Sequence, residues 1–289
     1  MDSALVHPFR GSDAVAAGTM TVHRLRHDFT RVYRDVYVPR RTVITPALRA
    51  RAAWLFAGPN AVLTGWSAAA LYGATWVDAD APAEVIRPGH HRAPPGMLVH
   101  NCALRPDEVC TVDGMQVVTA ARAAFDLGRR LPRRDAIAAL DDLCRTTGIS
   151  VEDIAVVAKC HPHTPGMRDL LDRLPFVDPG AESPPETHTR LAIVDAGLPR
   201  PETQIVHVKH GREFARSDMG WRRWHLLVEY DGSHHWLDGA QRSWDIERAE
   251  QIEELGWTIV RVDAQLLYRR PAALVHRVRK KLRDAGADV

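Results

Sequence analysis

The sequence predicts a mixed α/β or α+β protein made of several segments. Three observations carry that expectation. Helix-forming stretches alternate with short β-branched runs along the whole chain. The last hundred or so residues read as helix, three strands, helix, strand, helix, the pattern of a mixed sheet with flanking helices. A length of 289 residues holds about two domains at a prior of ~150 residues each. Apolar residues make up 45% and charged residues 26%, a globular balance that excludes bulk disorder. Lys+Arg number 38 against 36 Asp+Glu, a formal net charge of +2, which excludes a polybasic protein but permits local basic patches. No apolar run approaches the ~20 residues of a membrane helix. The opening Met1–Pro8 has neither the basic nor the apolar region of a secretory signal. The expected location is therefore cytoplasmic, with no membrane partner. No internal repeat is visible.

The first segment, 1–50, is basic. Arg24, Arg26, Arg31, Arg34, Arg40, Arg41 and Arg49 face only Asp28 and Asp35. Phe29–Pro39 alternates loosely between apolar and polar residues about a turn at Arg34-Asp35, which predicts a hairpin. Residues 12–27 are short helical material broken by Gly18. Short helices before a basic hairpin suggest a reduced winged-helix-like unit, with Arg31, Arg34, Arg40 and Arg41 turned to nucleic-acid phosphates. A surface hairpin with solvated arginines reads equally well.

The second segment, 51–178, is an α+β region. A helix enters it over Ala47–Phe56 and closes at Gly58-Pro59. Ser67–Gly73 reads as a short helix with Ser67 as its N-cap. Strands are expected at Glu84–Ile86, Met97–His100 and Met115–Val118, the last preceded by an Asp113-Gly114 turn. Amphipathic helices follow over Thr119–Arg130 and Arg134–Thr146, and Ser150-Val151-Glu152-Asp153 opens another with capping-box spacing. The four cysteines, 102, 110, 144 and 160, form no C-x-x-C and are read as reduced thiols. Cys160-His161-Pro162-His163 lacks a second ligand pair and reads as a helix end entering a loop. His90-His91 reads as surface. Pro175–Pro185 is expected to be a linker.

The third segment, 181–289, carries the chemistry. A helix over Pro185–Ala196 precedes strands at Thr203–Val208, about Phe214–Met219 and Trp224–Tyr230. A helix over Ala240–Leu255, a strand over Trp257–Val262 and a helix over Pro271–Ala285 follow. Asp218 ends the second strand, Glu229 and Asp231 end the third, and Glu186 sits on the first helix. Alternate strand residues share a face, so Glu229 and Asp231 are expected to point together. Clustered carboxylates are costly to bury unless a cation neutralises them. A hard ion such as Mg²⁺ or Mn²⁺ takes oxygen ligands, activates water and stabilises charge on a scissile phosphate. Gly232 leaves room for such a phosphate. In Ser233-His234-His235-Trp236 a histidine is able to move protons near neutral pH, or simply to occupy a turn. Asp245 and Arg248 share a helix face, either toward the site or as an exposed ion pair. The tail carries Arg269, Arg270, Arg277, Arg279, Lys280, Lys281 and Arg283. Of these Arg277, Lys280 and Lys281 are expected to contact nucleic acid, while Leu274, Val275, Val278 and Leu282 pack inward.

These residues carry a resemblance. Ser183-Pro184-Pro185-Glu186…Arg190-Leu191, Gln204, Asp218, Val228-Glu229-Tyr230-Asp231-Gly232-x-x-His235, Asp245-x-x-Arg248 and Leu255–Val262 resemble the domain of unknown function related to very-short-patch-repair (Vsr-like) endonucleases, a branch of the PD-(D/E)xK superfamily. The match spans about residues 181–268. It implies a restriction-endonuclease-like αβββαβ domain. Asp218 would be the central metal ligand, Glu229 the acid of the (D/E)xK element and Glu186 the helix acid. His235 would resemble the histidine of the very-short-patch enzymes, with Asp245 and Arg248 in support. The superfamily's lysine position holds Asp231, a state that looks usual for this subfamily; His235 or Arg248 would take the lysine's place, and Asp231 would join Asp218 and Glu229 around the ion. More loosely, Phe29–Val38, Leu63–Ala69 and Gly114-x-x-Val117-Val118-Thr119-x-x-Arg122-x-x-Phe125-Asp126-Leu127 resemble type IV antitoxin AbiEi-like proteins, whose N-terminal unit is a winged helix that binds DNA.

Two functions follow. One is a Mg²⁺-dependent DNA endonuclease with an N-terminal DNA-binding module, in repair or defence. The other is a non-catalytic DNA-binding regulator or antitoxin-like repressor on a degenerate nuclease fold. DNA is the expected partner of both, with a homodimer and a toxin or repair protein as further candidates. The absence of G-x-G-x-x-G, G-x-x-x-x-G-K-[ST] and G-x-S-x-G argues against dinucleotide, P-loop and serine-hydrolase chemistry.

Overall fold

The computed structural model describes residues 7–89, 92–232 and 239–289, without the side chains of 239–246. Its contacts divide the chain into two compact units: Met1–Leu131 with Leu143–Asp172, and Pro132–Asp142 with Arg173–Val289. Residues 1–50 and most of 51–178 thus share the first unit. Both units mix helices with sheets, as the sequence predicts.

The first unit opens with β1 (Phe9–Arg10), α1 (Gly11–Ala16), α2 (Val22–Asp28), β2 (Phe29–Tyr33) and β3 (Val36–Pro39). The strands form an antiparallel sheet of order β1-β3-β2. Asp35 turns the hairpin at φ 63°, and its carboxylate accepts the Ser12 amide at 2.9 Å. Next come α3 (Pro46–Ala57), β4 (Val62–Leu63), α4 (Gly65–Leu71), β5 (Ala83–Ile86), β6 (Met97–His100), β7 (Val109–Val112), β8 (Met115–Val118) and α5 (Ala120–Arg130). These strands make a sheet of order β6-β5-β4-β8-β7. The turn between β7 and β8 has positive φ at both Asp113 (48°) and Gly114 (78°), the conformation a tight hairpin prefers. The end of α6 (Arg133–Thr147), with α7 (Val151–Cys160) and α8 (Met167–Arg173), completes the unit, and Ser150 and Asp153 form the expected capping box.

One helix start differs from expectation. Thr64, not Ser67, is the N-cap of α4. The buried Glu84 carboxylate accepts the Trp66 amide at 3.0 Å, while the Ser67 hydroxyl accepts the Glu84 amide at 2.8 Å. Glu84 opens a chain of buried charges. It faces His100 at 2.7 Å and Arg130 at 3.5 Å. Asp126 takes Arg122 (3.1 Å), Arg129 (2.8 Å) and Arg130 (3.1 Å), and Arg122 also reaches Glu108 at 2.7 Å. Buried charges persist when each is paired, as these are.

In the second unit the segment expected as a linker is packed. Val177 and Ala181 are buried, and the Asp178 amide donates to Asp141 at 2.7 Å. The apolar residues among the prolines, together with that hydrogen bond, hold it down. The order that follows is α9 (Pro184–Asp195), β9 (Glu202–Lys209), β10 (Arg212–Trp221), β11 (Leu226–Tyr230), α10 (Gly239–Glu254), β12 (Thr258–Val262), a π-helical turn (Gln265–Arg269) and α11 (Pro271–Asp284). The sheet order is β12-β11-β10-β9, with β11 and β12 parallel and the other pairs antiparallel. One core joins Met219, Trp221, Val228 and Val260 to Ile193 and to Leu274, Val278 and Leu282 of α11; a smaller one joins Ile205, Ala215, Leu227 and Ile252. The tail leucines and Val278 pack inward as their 3–4 spacing predicts.

Candidate functional site

The acids lie in the second unit, at the end of the β10–β11 ladder. Its last paired residues are Met219 and Val228, so Asp218 and Glu229 are the next residue on each strand. Asp218 bridges the splayed end: its Oδ2 accepts the Tyr230 amide at 2.7 Å. Burial pushes the Asp218 carboxyl up to about 7, Glu186 and Glu229 push the same way, and the Tyr230 amide and Arg248 oppose them. Glu186, Asp218 and Glu229 are thus electrostatic neighbours.

Glu186 also serves its helix. Ser183 caps α9, and its hydroxyl donates to Glu186 Oε1 at 2.8 Å. The other oxygen accepts the Glu182 amide at 2.8 Å and the Gln204 amide at 3.3 Å. Ser183-Pro184-Pro185-Glu186 is therefore a capping box in function, with Pro in the first turn where its missing N–H does no harm.

Glu229 is buried and held at both oxygens. Oε1 accepts from the Ser217 hydroxyl at 2.9 Å, and Oε2 faces Arg248 Nη2 at 3.4 Å. Arg248 also donates to the Arg216 carbonyl at 3.0 Å. The Ser217 hydroxyl lies 3.0 Å from His207 Nε2. Since its one hydrogen goes to Glu229, His207 must donate to it, which assigns the imidazole proton to Nε2. Burial lowers the His207 pKa and keeps the ring neutral, against the pull of Glu229. His207 and Ser217 were not singled out in the sequence. Their signal is register: His207 pairs with Ala215, two residues from Ser217, so both lie on one side of the β9–β10 ladder.

The set Asp218–Glu229–Asp231 is not assembled. Among the described residues no three His, Cys, Asp or Glu side chains form a group able to hold a metal ion. Alternation aims side chains only while the ladder lasts, and β11 ends at Tyr230. Asp231, exposed, lines instead a cavity of about 200 Å³ with Arg261, Asp263, Gln265, Arg270 and Arg277. Cys160 and His161 likewise join no such group; His161 faces Glu108 and Cys160 is exposed. His90, His91, His234 and His235 lie outside the described residues, as does the side chain of Asp245.

Of the basic positions, Arg31, Arg34, Arg41, Arg277, Lys280 and Lys281 are exposed. Arg40 is committed elsewhere. It donates to the His27 carbonyl at 2.7 Å and the Arg26 carbonyl at 2.9 Å, capping the end of α2. On α2 itself only Leu25 is buried, leaving His23, Arg24, Arg26 and His27 exposed.

The chain is similar to the uncharacterized proteins MT2308 and Rv2248 of Mycobacterium tuberculosis, each 32% identical over 255 residues that cover 87% of this chain and 92% of the relative. No family model matches. The crystal structure of RV2827C protein from Mycobacterium tuberculosis aligns over 69% of this chain and 79% of its own at 16% identity, with a TM-score of 0.40, a likeness too slight to argue from.

Proposed function

This chain belongs to the same family as the uncharacterized proteins MT2308 and Rv2248 of Mycobacterium tuberculosis, and for it we propose a divalent-metal-dependent DNA endonuclease. The observation that carries the reading is Asp218: a carboxyl of β10 pushed up to about 7, with Glu186 of α9 and Glu229 of the neighbouring strand β11 pushing the same way. An acid so placed gains by exchanging its proton for a cation. The donor set fits Mg²⁺ or Mn²⁺, since Mg²⁺ usually takes one or two carboxylates and completes its shell with water and substrate phosphate. Asp218 and Glu229 would hold it. Bound there, the ion would supply an activated water and charge stabilisation at phosphorus.

The chain's own groups have definable roles. Ser217 and His207 fix the direction of Glu229, so that its second oxygen is presented to Arg248. Arg248 offsets the charge of the acid cluster and would steady a phosphate oxygen. Glu186, held by its cap, raises the Asp218 proton affinity from a fixed position. His235 is the proposed proton carrier, with Asp245 in support. In the first unit, β1, β3 and β2 with two short helices before the hairpin support a winged-helix-like DNA-binding module. Its α2 would present Arg24 and Arg26, with Arg31, Arg34 and Arg41 beside them. A cytoplasmic location belongs to the same proposal. Among the described residues no helix is long and apolar enough to cross a membrane.

The test is the purified full chain incubated with plasmid and oligonucleotide DNA in Mg²⁺ or Mn²⁺. Cleavage that vanishes in EDTA and in Asp218→Asn is expected. Equal cleavage by the variant, or none by the wild type with either ion, defeats the reading. A second reading has its own observation: Asp231 stands where the superfamily has lysine and lines the cavity with Arg261, Arg270 and Arg277. A DNA-binding regulator or antitoxin-like repressor on the same scaffold would bind DNA equally in EDTA and cut nothing.

A further inference from the structure

The cavity lined by Asp231 opens at the carboxyl ends of the only parallel strand pair in the sheet, because Asp231 follows β11 and Asp263 follows β12. Crevices at the carboxyl ends of parallel strands are where open α/β sheets bind ligands. Three arginines from three elements converge here: Arg261 from β12, Arg270 from the junction before α11 and Arg277 from the second turn of α11. Among the described residues none of these three side chains makes a hydrogen bond or an ion pair. Several arginines elsewhere in the unit are engaged. Arg133 pairs with Asp195, Arg190 with Asp141, Arg216 with Glu182 and Arg222 with Glu202. Three guanidinium groups, each with five donors and none of them spent on a hydrogen bond among the described residues, are suited to take oxygens.

The two acids refine the ligand. Asp263 Oδ1 accepts the Leu266 amide at 2.6 Å, which secures the π-helical turn, and among the described residues this carboxylate forms no ion pair with an arginine. Asp231 stands at the cavity, and among the described residues its carboxylate makes no hydrogen bond. It would accept from a hydroxyl or amino group, such as a nucleotide's sugar or base carries beside the phosphate. A volume of about 200 Å³ admits a phosphate with part of its ester, against the ~30 Å³ share of one water. Arg fits phosphate bidentately, the strongest form of such a contact.

We infer that this cavity is a phosphate-binding pocket for a nucleotide unit, with Arg261, Arg270 and Arg277 gripping the phosphate and Asp231 accepting from the sugar or base. It is distinct from the Asp218–Glu229 acids and its binding needs no metal. It therefore stands or falls separately from hydrolysis.

The experiment is a fluorescence-anisotropy titration of the full chain in EDTA. The probe is a 3′-labelled oligonucleotide, with and without a 5′-phosphate, and a nucleoside monophosphate serves as competitor. The wild type is compared with Arg261→Gln/Arg277→Gln and with a charge-matched control, Arg168→Gln/Arg212→Gln, whose side chains lie off the pocket. The pocket variant is expected to bind at least tenfold more weakly, with a shallower salt dependence because fewer phosphate contacts release counterions. The control is expected to stay within about twofold of wild type at the high salt where nonspecific terms fade. Should the double variant melt earlier than wild type, Arg270→Gln alone replaces it. A 5′-phosphate requirement assigns the pocket to a strand end; equal binding of both oligonucleotides assigns it to an internal phosphate; displacement by the monophosphate assigns it to a free nucleotide. Equal affinities of the pocket variant and the control, or no binding by wild type, overturn the inference.

Discussion

The Oδ2 of Asp218 accepts the Tyr230 amide at 2.7 Å, so the acid proposed as the central ligand is also the clasp that joins β10 to the end of β11. A carboxyl in that position has two states of different worth. Its pKa is raised from 3.8 to about 7. A raised carboxyl binds its proton more tightly when folded than when unfolded. Its favourable contribution is therefore full below about pH 4, declines as pH rises toward 7, and is absent above. In EDTA, chemical denaturation at pH 8 should show Asp218→Asn more stable than wild type by about 1–2 kcal/mol, a figure discounted for solvent screening of a half-buried group. At pH 4 that advantage should vanish. Added Mg²⁺ should raise the wild type at pH 8 and leave the variant unmoved.

Glu186→Gln separates the two roles of Glu186. Glutamine's one oxygen still accepts the Glu182 amide, and its NH2 is able to donate to the Ser183 hydroxyl oxygen with that bond reversed, so α9 should lose at most about 1 kcal/mol. It removes one of the charges that push Asp218 up. Potentiometric or infrared titration should place the Asp218 carboxyl lower in the variant. An unchanged titration would show that burial and Glu229 set it without Glu186.

How far the sequence speaks for itself differs from place to place. The helix–strand order of the last hundred residues was legible because each element is bounded by its own signal: Ser183 before α9, Gly197 after it, Gly256 before β12 and Pro271 at the start of α11. That Asp218 and Glu229 lie on neighbouring strands was legible for the same reason, but Asp218 was expected at the end of its strand and β10 runs three residues further, to Trp221, in the hairpin with β11. Asp231 was not legible, since the strand rule that aimed it beside Glu229 expires one residue earlier, at Tyr230. The cap of α4 was missed because Ser67 has the right chemistry but its hydroxyl is spent on the Glu84 amide, a contact 17 residues away. β4, two residues long, and the π-helical turn carry no local pattern. His207 and Ser217 become a pair only through the β9–β10 register, which no local window displays.

Ser217→Ala tests that pair. The substitution leaves Glu229 Oε1 and His207 Nε2 buried without the partner they share. An unsatisfied buried polar group costs about 1–3 kcal/mol. The variant should melt earlier than wild type by roughly that amount. A divalent-ion titration should also weaken, because Glu229 loses the contact that orients it. Ser217→Thr, which keeps the hydroxyl, should restore ion affinity further than it restores stability. Loss of stability with full ion affinity in Ser217→Ala would mean that the contact is purely architectural.

In the first unit the decisive residue is Arg122. It is 2% exposed and donates to Glu108 at 2.7 Å and to Asp126 at 3.1 Å. Asp126 retains Arg129 and Arg130, but Glu108 would keep only His161 and the Arg105 backbone amide, with no guanidinium. Removing one partner of a buried pair typically destabilises by about 3–5 kcal/mol, because the remaining charge is stranded in low dielectric. Arg122→Met keeps much of the aliphatic stem and removes only the charge and its donors, so any large loss belongs to Glu108 and Asp126. A companion Glu108→Gln should recover part of it by discharging the stranded acid. Urea denaturation of the two variants and their combination reads the coupling directly. Additive losses would show that Arg122 holds the unit by packing, and a combined loss smaller than the sum would show that it holds it by charge.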